Sequence, residues 1–261
     1  MSVLVRLRLL QLASQALPVG GFSYSHGLES AVEAGVVHDE GSVAAWIFDV
    51  ARFSIVRFDV PLLLECERAW MAEDAGMVSR RNDEFLASRE SAEFRGSAVQ
   101  MGYSLRALAA TLPDVPARWL ALLESLEEPT PPCVWAALGA AWSIDRADLA
   151  TAYLWSWMEN QVLAAVKSVP LGQSAGQRVL AGLSIRFAQA GAVSSLEARL
   201  APEARPSPEA RPAPEARPAP EARPAPEAWP SREVEQCSNF APALALLSAR
   251  HETQYSRLFR S

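Results

Sequence analysis

Asp145-Arg146-Ala147-Asp148-Leu149-Ala150-Thr151-Ala152-Tyr153-Leu154-Trp155-Ser156-Trp157-Met158-Glu159-Asn160-Gln161-Val162-Leu163-Ala164-Ala165-Val166-Lys167-Ser168-Val169-Pro170 is the stretch that decides the fold. Asp145 can cap a first turn, and Pro170 with Gly172 ends the run, so the spacing predicts one long helix over residues 146–169. Apolar residues lie nearly all round this cylinder, which places it at the centre of a bundle or at a subunit interface. Ser156, Asn160 and Lys167 fall close to one line at 3.6 residues per turn. That polar stripe must be satisfied by another segment or by water. Lys167 is the only lysine of the chain. It stands one turn before the break, where a cation complements a helix C-terminus and can meet an acidic partner. The alternative is that Lys167 snorkels to solvent while Asn160 bonds a neighbouring loop.

Working outward, most of the chain reads as helix. Asp39 can cap residues 43–53, Asp59 before Val60-Pro61 can open residues 62–73, and Asp114 before Pro116 can open residues 117–127. Residues 79–111 form one helix or two, with Gly96 and Gly102 as weak points or close helix contacts. A final helix covers residues 242–250. Period-two alternation with β-branched enrichment is hard to find. The fold class is therefore all-α: a single-domain helical bundle with a Pro-rich disordered insertion before the C-terminal helix and tail. The expected divisions are residues 1–200, 201–230 and 231–261. The middle one is a six-residue Pro-Glu-Ala-Arg repeat beginning at Pro202, Pro208, Pro214, Pro220 and Pro226. Proline at two of every six positions stops helix and ladder alike, so a semi-rigid extended spacer is expected.

Composition narrows the function. The chain has 261 residues, 24 basic against 30 acidic, and a net charge of −6, which argues against nucleic acid as the main partner. No signal peptide and no membrane-length apolar run is apparent, so the cytoplasm is expected. Cys66, Cys133 and Cys237 are odd in number and dispersed, as are His26, His38 and His251. Neither a disulfide framework nor a metal-ligand spacing results, and no metal or cofactor is expected.

Three segments carry candidate chemistry. Leu17-Pro18-Val19-Gly20-Gly21-Phe22-Ser23-Tyr24-Ser25-His26-Gly27-Leu28-Glu29 places three glycines and two aromatics between helices. It lacks the pattern of a phosphate loop, and adjacent Ser25 and His26 do not make a catalytic pair, so it reads as a structural or an interaction loop. Arg80-Arg81-Asn82-Asp83-Glu84, Ser88-Arg89-Glu90 and Glu93-Phe94-Arg95 read as a solvated, charge-laced face. The tail Arg250-His251-Glu252-Thr253-Gln254-Tyr255-Ser256-Arg257-Leu258-Phe259-Arg260 is too polar for a core and carries the residue types that dominate interfaces. The plainer alternative is a terminal helix packed on its own domain. The tryptophans, notably Trp46, Trp135, Trp142, Trp155 and Trp157, read as core filler.

The loop at 17–29, the run from Trp157 through Lys167 to Pro170-Leu171-Gly172-Gln173-Ser174-Ala175-Gly176-Gln177, and the tail from Ser248 occur in an order that resembles the UreF family of urease accessory proteins. The likeness spans about residues 5–200 and 238–261, and the Pro-Glu-Ala-Arg repeat is a departure from it. It implies an all-α protein that forms a homodimer and binds the accessory protein UreD, also called UreH, through its C-terminal segment. It also implies recruitment of the GTPase UreG and delivery of nickel to the urease apoprotein. On this likeness Arg250, Tyr255 and Arg257 belong to the docking tail. Phe22 and Tyr24 belong to a loop near that tail and Lys167 to the surface that communicates with the GTPase, and His26, Glu29 and Gln173 complete the expected partner-binding set. No catalytic residue is implied. The alternative is a helical enzyme acting on a small substrate in the loop 20–29.

Overall fold

A computed structural model describes residues 1–191, 241–252, 254 and 257–259, the Phe22 side chain apart. The Pro-Glu-Ala-Arg repeat, Cys237 and Tyr255 lie outside the described residues. Among those described, every regular element is helical: α1 (Val3–Ala13), a 3-10 turn (Gly21–Ser23), α2 (Leu28–Glu33), α3 (Glu40–Val50), a π-helical stretch (Ala51–Asp59) and α4 (Val60–Met71) come first. They are followed by α5 (Ala75–Ala87), α6 (Ala92–Thr111), α7 (Ala117–Ser125), α8 (Pro131–Ala141), α9 (Arg146–Ser168), α10 (Gln173–Gln189) and α11 (Pro242–His251). The all-α reading holds.

The long helix α9 forms as its sequence requires, with Asp145 Oδ1 accepting from the Ala147 N–H at 2.9 Å and Val169 leaving in extended backbone. It lies against α1, α2, α3, α4 and α10, which explains its apolar circumference. Leu149 and Ala152 enter one apolar cluster with Leu63 and Trp70 of α4 and Leu138 of α8. Ala150, Leu154, Met158 and Val162 enter a second, with Val43 and Ile47 of α3 and Val179 and Leu183 of α10. The two clusters therefore meet along α9 and α4. Trp135 and Trp142 are buried as expected, but Trp155 is 36% exposed and fills no core.

Asp59 corrects one expectation. It does not cap a new helix: its backbone is helical (φ −63°, ψ −45°), it makes no capping bond, and α3, the π stretch and α4 run on as one rod. Pro61 has no N–H to offer the carbonyl one turn back, and the wider π turn absorbs that gap, with the Val60 N–H reaching the Ile55 carbonyl. The carboxyl group is turned inward as a result.

Two further boundaries also differ. α5 and α6 separate at residues 88–91, where Ser91 Oγ caps the Phe94 N–H at 3.1 Å, and neither glycine marks the break. Asp114 does not cap α7; it pairs with Arg8 of α1 at 2.6 Å. The segment 80–95 is not uniformly solvated either. Arg81 keeps its surface pair with Glu84, whereas Asn82 is 2% exposed and clamps the backbone before α8, donating to the Glu128 carbonyl at 2.8 Å and accepting from the Thr130 N–H at 2.9 Å. Cys66 and Cys133 are buried free thiols. A hydrogen bond to Cys133, with burial, pushes the Cys66 thiol well above its ordinary range.

Candidate functional site

The loop at 20–29 delivers Glu29 into the first turn of α2, after Gly27 takes the left-handed conformation (φ +81°). A Cβ on Gly27 would meet Leu244 of α11 at 3.0 Å, so this glycine also lets α11 settle on the loop. His251, at the end of α11, is fully buried between two carboxylates. Its Nε2 lies 3.0 Å from Glu29 Oε2 and its Nδ1 lies 2.8 Å from Glu93 Oε2. The chain then folds back over both acids. Arg257 Nη1 donates to Glu93 Oε1 at 2.9 Å, while the N–H groups of Leu258 and Phe259 donate to Glu29, the latter at 3.0 Å. Ser91 and Ser248 join Oγ to Oγ at 2.6 Å beside them, and the Ala92 N–H donates to Glu252 at 3.0 Å. The Phe259 ring, 7% exposed, closes the second apolar cluster, with Lys167 Nζ 5.6 Å from its centroid.

This corrects the expectation that so polar a tail stays out of the core. A buried polar group is tolerated when its partners are supplied, and Glu29 supplies acceptors to an imidazole and two backbone N–H groups at once. The plainer alternative, packing on the same domain, describes His251 and Phe259. Glu29, Lys167 and Arg257 are brought together around them. Tyr24 is buried close by, its carbonyl accepting from Asn160 Nδ2 at 3.2 Å, so the middle of the α9 polar stripe is satisfied by the loop. Gln173 is exposed at the start of α10 and Arg250 is exposed on α11. Tyr255 and the Phe22 side chain lie outside the described residues.

His26 faces a different space. A cavity of about 140 Å³ is lined by His26, Asp59, Arg89, Tyr153, Ser156 and Asn160 among mainly apolar side chains. Asp59 and Arg89 form a buried pair at 2.9 Å, and Arg89 stacks 4.1 Å from the Phe85 ring centroid. Burial pushes the Asp59 carboxyl up against the opposing pull of Arg89, and burial next to Asp59 pushes the Tyr153 phenol well above its usual range. The residues missed from sequence are Asp59, Arg89, Tyr153 and Glu93. A lone acid inside the apolar run around Val60 was the available signal for the first.

Burial and the charge of Arg89 hold the His26 imidazole down at about 4. The unfolded chain takes a proton near pH 6.5 that the native state refuses until about pH 4, so stability falls as pH drops through that window. Between pH 6.5 and 5 the loss should reach about 1.5 kcal/mol. His26→Asn, which tolerates the left-handed backbone here (φ 50°), should flatten that slope in denaturant titrations across the same range. An unchanged slope would exclude His26 as its source.

Among the described residues no group of three or more His, Cys, Asp or Glu side chains is arranged to hold a metal ion. No described helix is long and apolar enough to cross a membrane. The elements define an all-α protein whose densest polar chemistry holds its own C-terminal segment. The family model UreF matches residues 37–184. A "Urease accessory protein UreF" of Azoarcus sp. (strain BH72) is 47% identical over 264 residues, covering 98% of this chain and 95% of its own length. One from Dechloromonas aromatica (strain RCB) is 46% identical, covering 97% and 96%. A "Bifunctional urease accessory protein UreEF" of Bordetella bronchiseptica is 44% identical and covers 97% of this chain with 51% of its own. The chain belongs to the UreF family of urease accessory proteins.

Proposed function

We propose that this protein is a non-enzymatic, cytoplasmic scaffold for nickel insertion into apo-urease, joining UreD/UreH to the GTPase UreG as a homodimer and gating the GTPase's use of GTP. The observation that carries the reading is the near full-length identity to proteins named for urease maturation. The site geometry supports it. Docked on Glu29 and Glu93, the tail directs Leu258 (62% exposed) and, from α11, Leu246 (66% exposed) and Arg250 to the surface, a mixed apolar and basic face of the kind interfaces use. Phe22, Tyr24, His26, Glu29, Lys167, Gln173, Arg250, Tyr255 and Arg257 are the proposed partner-binding set. Within it Glu29, Tyr24 and His26 act from beneath, by shaping the loop and seating the tail, and Lys167 stands at the tail's edge over Phe259.

Lys167→Ala tests the reading. The lysine is exposed and its contact with Phe259 is worth on the order of 0.5–1 kcal/mol, so the melting temperature should move by only a few degrees. Binding to purified UreG in the presence of UreD should weaken at least about tenfold, and urease activation should change with it. Unchanged binding and activation would remove Lys167 from the interface. Turnover of GTP by the purified chain alone would refute the non-enzymatic reading.

A further inference from the structure

Helix α1 is apolar on both sides. Val5, Leu9 and Leu12 face the first apolar cluster, while Val3, Leu4, Leu7 and Leu10 remain 73%, 63%, 58% and 61% exposed. At 100° per residue, Val3, Leu7 and Leu10 stand within one narrow stripe with Leu4 beside it, the i, i+4, i+7 spacing by which a helix anchors in a groove. Solvation alone does not select four aliphatic side chains in a row on a surface.

The helix's own charge has one sign, and the one carboxylate described against it, Asp114, is taken up by Arg8. Residues 1–28 contain no Asp or Glu although the chain as a whole carries 30, and they contain Arg6 and Arg8. Arg8 is engaged with Asp114 and lies over the Trp142 ring at 5.0 Å, which leaves Arg6 exposed at the edge of the stripe. Trp142 precedes α9, and Lys167 ends it, roughly 30 Å away at 1.5 Å per residue. The α1 stripe is thus remote from the tail along the central helix.

We propose that the outer face of α1 is a second docking surface, whose occupant is a protein presenting an aliphatic groove edged by carboxylates. This rests on the assembly reading above and adds a surface to it. A second copy of the chain fits less well, because symmetric pairing of the stripe would set the exposed Arg6 of each copy against the other with no carboxylate of the helix to meet it. A lipid surface fits less well too, because a single exposed arginine and no interfacial aromatic on this helix give weak attraction to anionic headgroups.

The experiment measures binding of full-length protein to purified UreD/UreH, UreG and apo-urease, separately and together, for wild type, Leu7→Glu, Leu7→Ala and Arg6→Glu. For at least one of these probes, Leu7→Glu should weaken binding about thirtyfold or more, and Arg6→Glu about five- to tenfold, the latter difference shrinking as salt rises. Melting curves should match wild type, and Leu7→Ala with Arg6→Glu decides the matter should Leu7→Glu misfold. Wild-type binding that all variants retain would overturn the second surface and leave the assembly reading standing. Absence of any wild-type binding would overturn both. A change in solution mass in Leu7→Glu, or wild-type flotation with vesicles holding anionic lipid, would assign the stripe to a second copy or to a membrane and overturn the proposal.

Discussion

Gly102→Ala should cost at least about 3 kcal/mol of stability, a fall of roughly 10 °C in melting temperature for a chain of this size. A Cβ at this position of α6 would lie 1.7 Å from the Pro129 carbonyl oxygen and 2.4 Å from its carbon. Backbone must therefore move. It is poorly free to do so, because Asn82 ties the carbonyl of Glu128 and the N–H of Thr130 on either side of that proline. The intrinsic gain of replacing glycine by alanine in a helix, up to about 1 kcal/mol, is too small to offset such a clash. Gly96→Ala is the internal control: the same helix, nothing within 4 Å of the new Cβ, and an expected stabilisation of about 0.5–1 kcal/mol. Urea titration of both variants settles it. Equal or greater stability of Gly102→Ala would show that α6 does not pack on residue 129 as described.

The contrast between these glycines illustrates what the sequence made legible. Gly96 and Gly102 are indistinguishable in a string, since each interrupts a helical pattern, and only the neighbour brought by the residues before α8 separates them. Helix α9 was legible from end to end because its cap, apolar circumference and terminating proline are all local. Asp59 was not. An acid two residues before a proline signals an N-cap equally well whether the chain starts a helix there or passes through a π turn, and the choice depends on the cavity its side chain enters. The candidate site was half visible. The loop at 20–29 and the tail could be singled out by residue type, but Glu29 and His251 are 222 positions apart and Glu93 and His251 are 158 apart, so no periodicity could join them. Glu93 was hidden within a charged stretch read as solvated, of whose charged residues only Arg80, Asp83, Glu84 and Glu90 are in fact exposed.

That joining has the largest consequence for the tail. Had it been a free appendage, its removal would leave the bundle's stability untouched. The observed contacts require otherwise. Glu29→Ala leaves His251 Nε2 and two tail N–H groups without their acceptor, which should cost about 3 kcal/mol. Deleting residues 252–261 removes the Phe259 ring from the second apolar cluster and the Arg257 guanidinium from Glu93, at a cost of about 2–4 kcal/mol less the entropy regained by releasing the segment. The two changes remove the same bonds between Glu29 and the tail. Combined, they should therefore fall short of additivity by about 1–2 kcal/mol in a double-mutant cycle read by denaturant melts. Partner binding separates structure from docking: both single variants should lose UreD/UreH, while Arg250→Ala, on the exposed side of α11, should weaken binding with little change in the melt. Strict additivity of Glu29→Ala and the deletion would mean that Glu29 does not hold the tail, and full retention of UreD/UreH by the deleted protein would remove the tail from the docking surface.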